Sequence, residues 1–173
     1  MKNQRAQSGN VLFLTHAAVI AALYVVLTFL ANALGLANGN IQVRFSEALT
    51  ILPFFTPASI PGLYIGCLLA NILTGCALPD IIFGPIATLV GALGTWLLRR
   101  HSKWLAPVPP ILANAVVVPL VLLYGYGIRP LWFSVVTVTI GEVISCGVFG
   151  MVLLFTLTKY RRQLFPEQTS VTK

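Results

Sequence analysis

The sequence predicts an all-α integral membrane protein, a six-transmembrane-helix bundle with the N- and C-termini both on the inner side. Three observations lead there. The 173 residues are 57% hydrophobic and 9% charged, with mean hydropathy +0.89, whereas a soluble domain carries about 25% charge. The apolar runs form six stretches separated by proline, glycine and asparagine. A crossing takes about 20 residues, so this length accommodates six short-looped crossings and no separate soluble domain. The basic residues are also one-sided. Nine of them (Lys2, Arg5, Arg99, Arg100, Lys103, Lys159, Arg161, Arg162, Lys173) fall on one side of such a bundle, against Arg44 and Arg129 on the other. This is the positive-inside asymmetry, and it accounts for the net charge of +7 without nucleic acid.

Helix one is expected over Leu12–Leu34, behind a basic leader (Met1–Arg5). The run is long for a signal peptide and has no clear small-residue cleavage site, so it reads as a retained helix. Helix two, Ser46–Phe55, is short. Helix three covers Ile60–Leu73, helix four Ile81–Leu98, helix five Pro110–Leu123 and helix six Leu131–Leu157. The breakers between them are Asn38-Gly39-Asn40, Thr56-Pro57, Leu78-Pro79, Pro107–Pro110 and Gly125–Pro130. Pro53, Pro57 and Pro61 step by four, which bends or ends helices. That spacing suits a tight turn or a bent hairpin bordering a pocket. Trp96 and Trp104 flank the inner basic loop and Trp132 opens helix six, as interfacial aromatics do. Residues 1–160 form a single membrane domain, and 161–173 a polar cytoplasmic tail. Cys67, Cys76 and Cys146 have no metal-ligand spacing, and neither a metal nor a cofactor is expected.

Ionisable groups carry the functional signal. Of four carboxylates, Glu167 lies in the tail, while Glu47, Asp80 and Glu142 lie in or at the mouths of apolar stretches. A charge at a helix centre in lipid costs roughly 2.5–3.5 kcal/mol, and such groups persist where they face a bundle interior, a cavity or a ligand. Glu47 suits a first helical turn three residues from Arg44, and Asp80 suits an N-cap. Glu142 has neither role: it lies eleven residues into helix six, about 16 Å deep at 1.5 Å per residue. All three point to the outer half. Asn71 and Asn114 are the other deep polar groups, serving as interhelical glue or pocket contacts. Three acids against Arg44 and Arg129 leave a negative pocket, which disfavours phosphates and favours a cation or a ligand rich in N–H donors. Phe83, Phe45 and Tyr64 offer stacking faces.

No Ser-His, Cys-His or metalloprotease signature appears, so no catalytic residues and no enzyme are expected. No phosphate-binding G-x-x-x-x-G-K-[ST] appears either, so ATP hydrolysis would belong to a partner. On helix one, Ala17 with Ala21 and Ala18 with Ala22 are small-xxx-small pairs. Such pairs admit another helix closely, from within the bundle or from a partner.

The runs Ile41–Pro61 (IQVRFSEALTILPFFTPASIP), Gly62–Leu73 (GLYIGCLLANIL), Asp80–Thr88 (DIIFGPIAT), Leu105–Ala115 (LAPVPPILANA) and Ile140–Gly147 (IGEVISCG) resemble the QueT-type substrate-binding S components of energy-coupling factor transporters. The resemblance implies a subunit in the bacterial plasma membrane that captures queuosine precursors, queuine or its deazaguanine relatives, from outside. It implies a transmembrane T component and two ATPase subunits as partners, with release inward by toppling in the membrane. It also implies a lid near Gly35–Phe45 and partner docking through Ala17, Ala18, Ala21 and Ala22. Glu142 or Glu47 would then read the base edge and Asp80 an aminomethyl cation, with Arg44, Asn71 and Asn114 serving carbonyl or ribose-like atoms. The competing readings are an S component for thiamine or another nucleobase, and a proton-coupled homo-oligomeric carrier using Glu142. The halves share no internal repeat, which weighs against the carrier.

Overall fold

The computed structural model describes residues 2–36 and 41–164, and these are helical almost throughout. Helix α1 (Lys2–Ala33) begins ten residues earlier than expected. Its basic leader contains no proline to stop it, so the helix continues back through the leader and pairs the backbone N–H groups beyond its first turn. A 3-10 helix (Phe45–Phe54) follows, then α2 (Ser59–Leu73), α3 (Leu78–Leu98), a 3-10 turn (Lys103–Leu105) and α4 (Val108–Tyr126). The last span combines α5 (Leu131–Glu142), a π-helical stretch (Val143–Phe149) and α6 (Gly150–Leu164). Helix α6 carries past position 160, so the first residues assigned to the tail are helical, while 165–173 lie outside the described residues.

Four helical stretches are long and apolar enough to cross a membrane: Gly9–Ala33, Leu78–Leu98, Lys103–Tyr126 and Leu131–Arg161. Their outer surfaces are what lipid requires. Leu14, Leu97, Leu112, Val116 and Trp132 are each exposed by 60% or more, an arrangement that water would penalise. Two shorter apolar segments, Phe45–Phe54 and Ser59–Leu73, complete the six helices the sequence predicts.

Helix two is not an α-helix. Its backbone makes i→i+3 bonds such as Glu47 N–H to Arg44 O at 3.1 Å and Phe55 N–H to Leu52 O at 2.8 Å. Thr50 Oγ1 donates back to Glu47 O at 2.6 Å, and Pro53 supplies no donor. Runs of 3-10 helix beyond three or four residues are uncommon because their hydrogen bonds are poorer. This ten-residue run is held by burial: Ser46–Pro53 are all buried. Ile51, Leu52 and the adjoining Phe55 form the core with Leu63, Tyr24 and Leu154. At about 2.0 Å per residue, ten residues of 3-10 helix extend about 20 Å, where an α-helix would reach about 15 Å.

Helix α1 packs on α2 through small residues. A Cβ on Gly62 would lie 2.6 Å from Ala17 O, and one on Gly66 would lie 2.8 Å from Tyr24 Cβ and 3.0 Å from Ala21 Cα. Ala17 and Ala21 are therefore buried inside the chain. This corrects their assignment as partner-docking residues, because α2 already occupies that groove. Ala18 and Ala22, one residue round the helix, are exposed.

Candidate functional site

Helix order alone puts the chemistry at one end of the bundle. The C-terminal ends of α1, α2 and α4 and the N-terminal end of α3 meet there, opposite the basic loop Arg99–Lys103. A cavity of about 600 Å³ opens between them. Its wall takes Tyr24, Thr28 and Asn32 from α1, Arg44 and Ser46 from the entry to the 3-10 helix, Asn71 from α2, Asp80 from α3 and Tyr126 from α4.

Local backbone chemistry sets Asp80 in place. Helix α2 ends where Gly75 takes φ +70, a left-handed turn that costs glycine little, and Cys76 N–H bonds back to Asn71 O at 3.0 Å. Helix α3 then starts with Pro79 in its first turn, where the missing N–H is harmless. Asp80 follows where the helix dipole favours an acid. Asn71 Nδ2 donates to Asp80 O at 2.9 Å. The Tyr126 hydroxyl accepts from Ala77 N–H at 2.9 Å and lies 3.5 Å from Asp80 Oδ2, its acceptor. One turn along, Gly84 leaves room for the pair, since a Cβ there would sit 2.7 Å from Asn71 Nδ2 and 3.1 Å from Asp80 Oδ1.

Two buried polar atoms in this wall have no hydrogen-bond partner, Asp80 Oδ1 and Ser46 Oγ. A buried unpaired acceptor costs about 1–3 kcal/mol, more if charged, so this arrangement suits a ligand that brings donors. Arg44 is half-buried beside them, with its own N–H on Ser145 Oγ at 3.1 Å. Burial works to lower its pKa, but Asp80 foremost, then Tyr24, Glu47 and Glu142, outweigh burial and raise it above its ordinary value.

Behind the cavity lies a second polar cluster. Glu47 is 1% exposed. Its Oε1 accepts from the Tyr24 hydroxyl and its Oε2 from Asn114 Nδ2 at 3.3 Å. Cys146 Sγ lies 3.2 Å from Glu142 Oε2 and 3.4 Å from Glu47 O. The π-helical stretch begins directly after Glu142 and includes Cys146. Such bulges recur at functional sites because the extra residue re-aims side chains. Ligand atoms of Glu47, Glu142 and Cys146 lie within 4.8 Å of one another.

The predicted site residues thus divide. Arg44, Asn71 and Asp80 line the cavity, whereas Glu47, Glu142 and Asn114 form the cluster behind it. Phe83 belongs to neither: it is 51% exposed on the outer surface. Gly84 is the position that faces Asn71 and Asp80, and Phe83, about 100° round the helix from it, turns outward. The sequence reading missed Tyr24, Ser46 and Tyr126. Tyr24 did leave a signal, since Ala17, Ala21 and Tyr24 step by four and three along one face of α1.

Residues 14–159 match the sequence model of the family described as QueT transporter. The chain belongs to the QueT transporter family. A curated relative, the queuosine precursor transporter QueT of Lactococcus lactis subsp. cremoris (strain MG1363), is 39% identical over 87 residues. That match covers 50% of this chain and 51% of the relative, so the chain spans about half the length of the curated relative it matches. No solved structure matches the chain. The QueT family assignment agrees with the lipid-suited surface and the end-on cavity: this is a transporter-family membrane protein.

Proposed function

We propose that this QueT-family chain is the substrate-capture subunit of an ATP-driven importer in a bacterial plasma membrane, taking up queuine or a deazaguanine relative from outside. The observation that carries the reading is the unpartnered Asp80 Oδ1 in the wall of a cavity of about 600 Å³. That volume lies within the roughly 300–1,000 Å³ of small-molecule sites. A deazaguanine base offers N–H donors, and an aminomethyl substituent adds a cation. Asp80 takes the cation or an N–H, Arg44 and Asn71 take carbonyl or hydroxyl oxygens, and the Glu47–Glu142–Asn114 cluster supports the wall from behind.

Both termini face inward in this reading, and the chain crosses six times. The 3-10 segment and α2 complete the two short crossings, covered by the four long spans. The basic loop Arg99–Lys103 then lies inside by the positive-inside bias, and the cavity opens outside. The energy comes from two ATPase subunits acting through a transmembrane T component. The exposed pair Ala18 and Ala22 is the docking face, and toppling on that partner releases the substrate inward. The segment Gly35–Phe45 serves as the lid, of which positions 37–40 lie outside the described residues.

Calorimetric titration of the purified chain with queuine, 7-aminomethyl-7-deazaguanine, guanine and thiamine tests the reading. Micromolar or tighter binding of the first two, weakened at least tenfold in Asp80→Asn, supports it. Folded protein that ignores both, or prefers thiamine, sinks it.

A further inference from the structure

We infer that Tyr24 is a ligand-contacting, specificity-determining residue and that Glu47 acts as its positioning residue rather than as a ligand contact; this rests on the queuosine-precursor reading above. Tyr24 is 2% exposed, and it lines the cavity. Its place is doubly fixed. The Cβ sits so close to α2 that only a glycine fits opposite, at Gly66, and the hydroxyl donates to Glu47 Oε1. Glu47 in turn is held by Asn114 through its other oxygen. Both its oxygens are thus bonded, and it is not among the residues that line the cavity.

This arrangement decides what Tyr24 can offer. A phenol has one proton and two acceptor lone pairs. Because Glu47 takes the proton, Tyr24 is left as an acceptor. The Cys67 sulfur beside it is only a weak acceptor and does not compete with the Glu47 carboxylate for that proton. A hydroxyl that donates to a carboxylate is also polarised into a stronger acceptor. Tyr24 on α1 and Asp80 on α3 line two walls of the same cavity, and on this inference the phenol oxygen and the unpaired Asp80 Oδ1 are the acceptors offered to the ligand. The ligand they fit carries donors on two edges, as an aminomethyl-deazaguanine does with its base N–H groups and its cation. Glu47 thus holds the Tyr24 hydroxyl rotor so that it cannot turn a competing donor toward the ligand's N–H.

The test is a double-mutant cycle on binding of 7-aminomethyl-7-deazaguanine to the full chain in detergent, with thermal unfolding measured for each variant. Tyr24→Phe keeps the ring and should weaken binding at least tenfold; it also leaves Glu47 Oε1 buried without its donor, so some loss of melting temperature accompanies it. Glu47→Gln should weaken binding about tenfold in the wild-type background and less than twofold in Tyr24→Phe, because its effect is transmitted by the hydroxyl. Equal losses in both backgrounds would make Glu47 merely structural and overturn the inference. So would wild-type affinity in Tyr24→Phe, which decides the matter alone if Glu47→Gln does not fold. Failure of the wild-type chain to bind would overturn the proposed function and this inference together, an outcome distinct from wild-type binding that Tyr24→Phe leaves untouched.

Discussion

Substituting Gly84 by alanine separates the stability of the fold from the competence of the cavity. A methyl at position 84 would stand 2.7 Å from Asn71 Nδ2 and 3.1 Å from Asp80 Oδ1. Both are ends of side chains, so the helices need not move. Alanine in place of glycine inside a helix gains about 1 kcal/mol. Turning Asn71 aside breaks its hydrogen bond to Asp80 O, present at 2.9 Å, at a cost of about 1 kcal/mol. The two nearly cancel, so thermal unfolding of the empty protein should change little. Binding should not escape, because the same methyl displaces the carboxylate and the amide of the cavity wall. A hydrogen bond to a charged group contributes about 1.5–3 kcal/mol, which corresponds to roughly ten- to hundredfold in affinity. The assay is titration with queuine beside a melting curve for each protein. Affinity within twofold of wild type at unchanged melting would refute the assignment of Asp80 and Asn71 to the ligand. A large drop in melting would refute the packing argument instead.

Gly66→Ala should behave oppositely, since the added Cβ meets Ala21 backbone 3.0 Å away; overpacking of that kind costs about 1–3 kcal/mol, and a melting temperature at or above wild type would contradict it. Ala18→Trp combined with Ala22→Trp should leave ligand affinity unchanged in the isolated chain but abolish uptake into vesicles containing the partner subunits. Undiminished uptake would remove α1 from the docking interface. Phe83→Ala should keep affinity within twofold, because the ring faces outward at 51% exposure, and a tenfold loss would return Phe83 to the cavity.

Much of this architecture was legible in the sequence because lipid imposes long apolar runs punctuated by proline and glycine. All six predicted helices have counterparts over nearly the predicted stretches. The polar residues were also findable, because Glu47, Asp80, Glu142, Asn71 and Asn114 stand out in apolar surroundings, and all are buried. What they touch was not legible. Helix α1 is apolar on every side, so no periodicity tells Ala17 and Ala21, which meet α2, from Ala18 and Ala22, which do not. The depth of Glu47 was hidden by the 3-10 winding and the burial of its whole segment. Tyr24 does not stand out in the sequence because its partner, Glu47, is 23 residues away in the chain.

The buried 3-10 helix also bears on how the protein is made. A ten-residue segment carrying a carboxylate is too short and too polar to leave a translocon for lipid unaided, where about 20 apolar residues are needed. Nor does it have anywhere to go when first synthesised. Tyr24 has already emerged, but Asn114 follows 67 residues after Glu47 and Cys146 comes 99 residues after it. In the six-crossing reading proposed above, the second crossing is therefore completed late, when the hydrogen-bonding groups of α4 and of the π-helical stretch arrive to enclose it. Insertion and tertiary assembly are a single event for this part of the chain, and the order of synthesis differs from the order of burial.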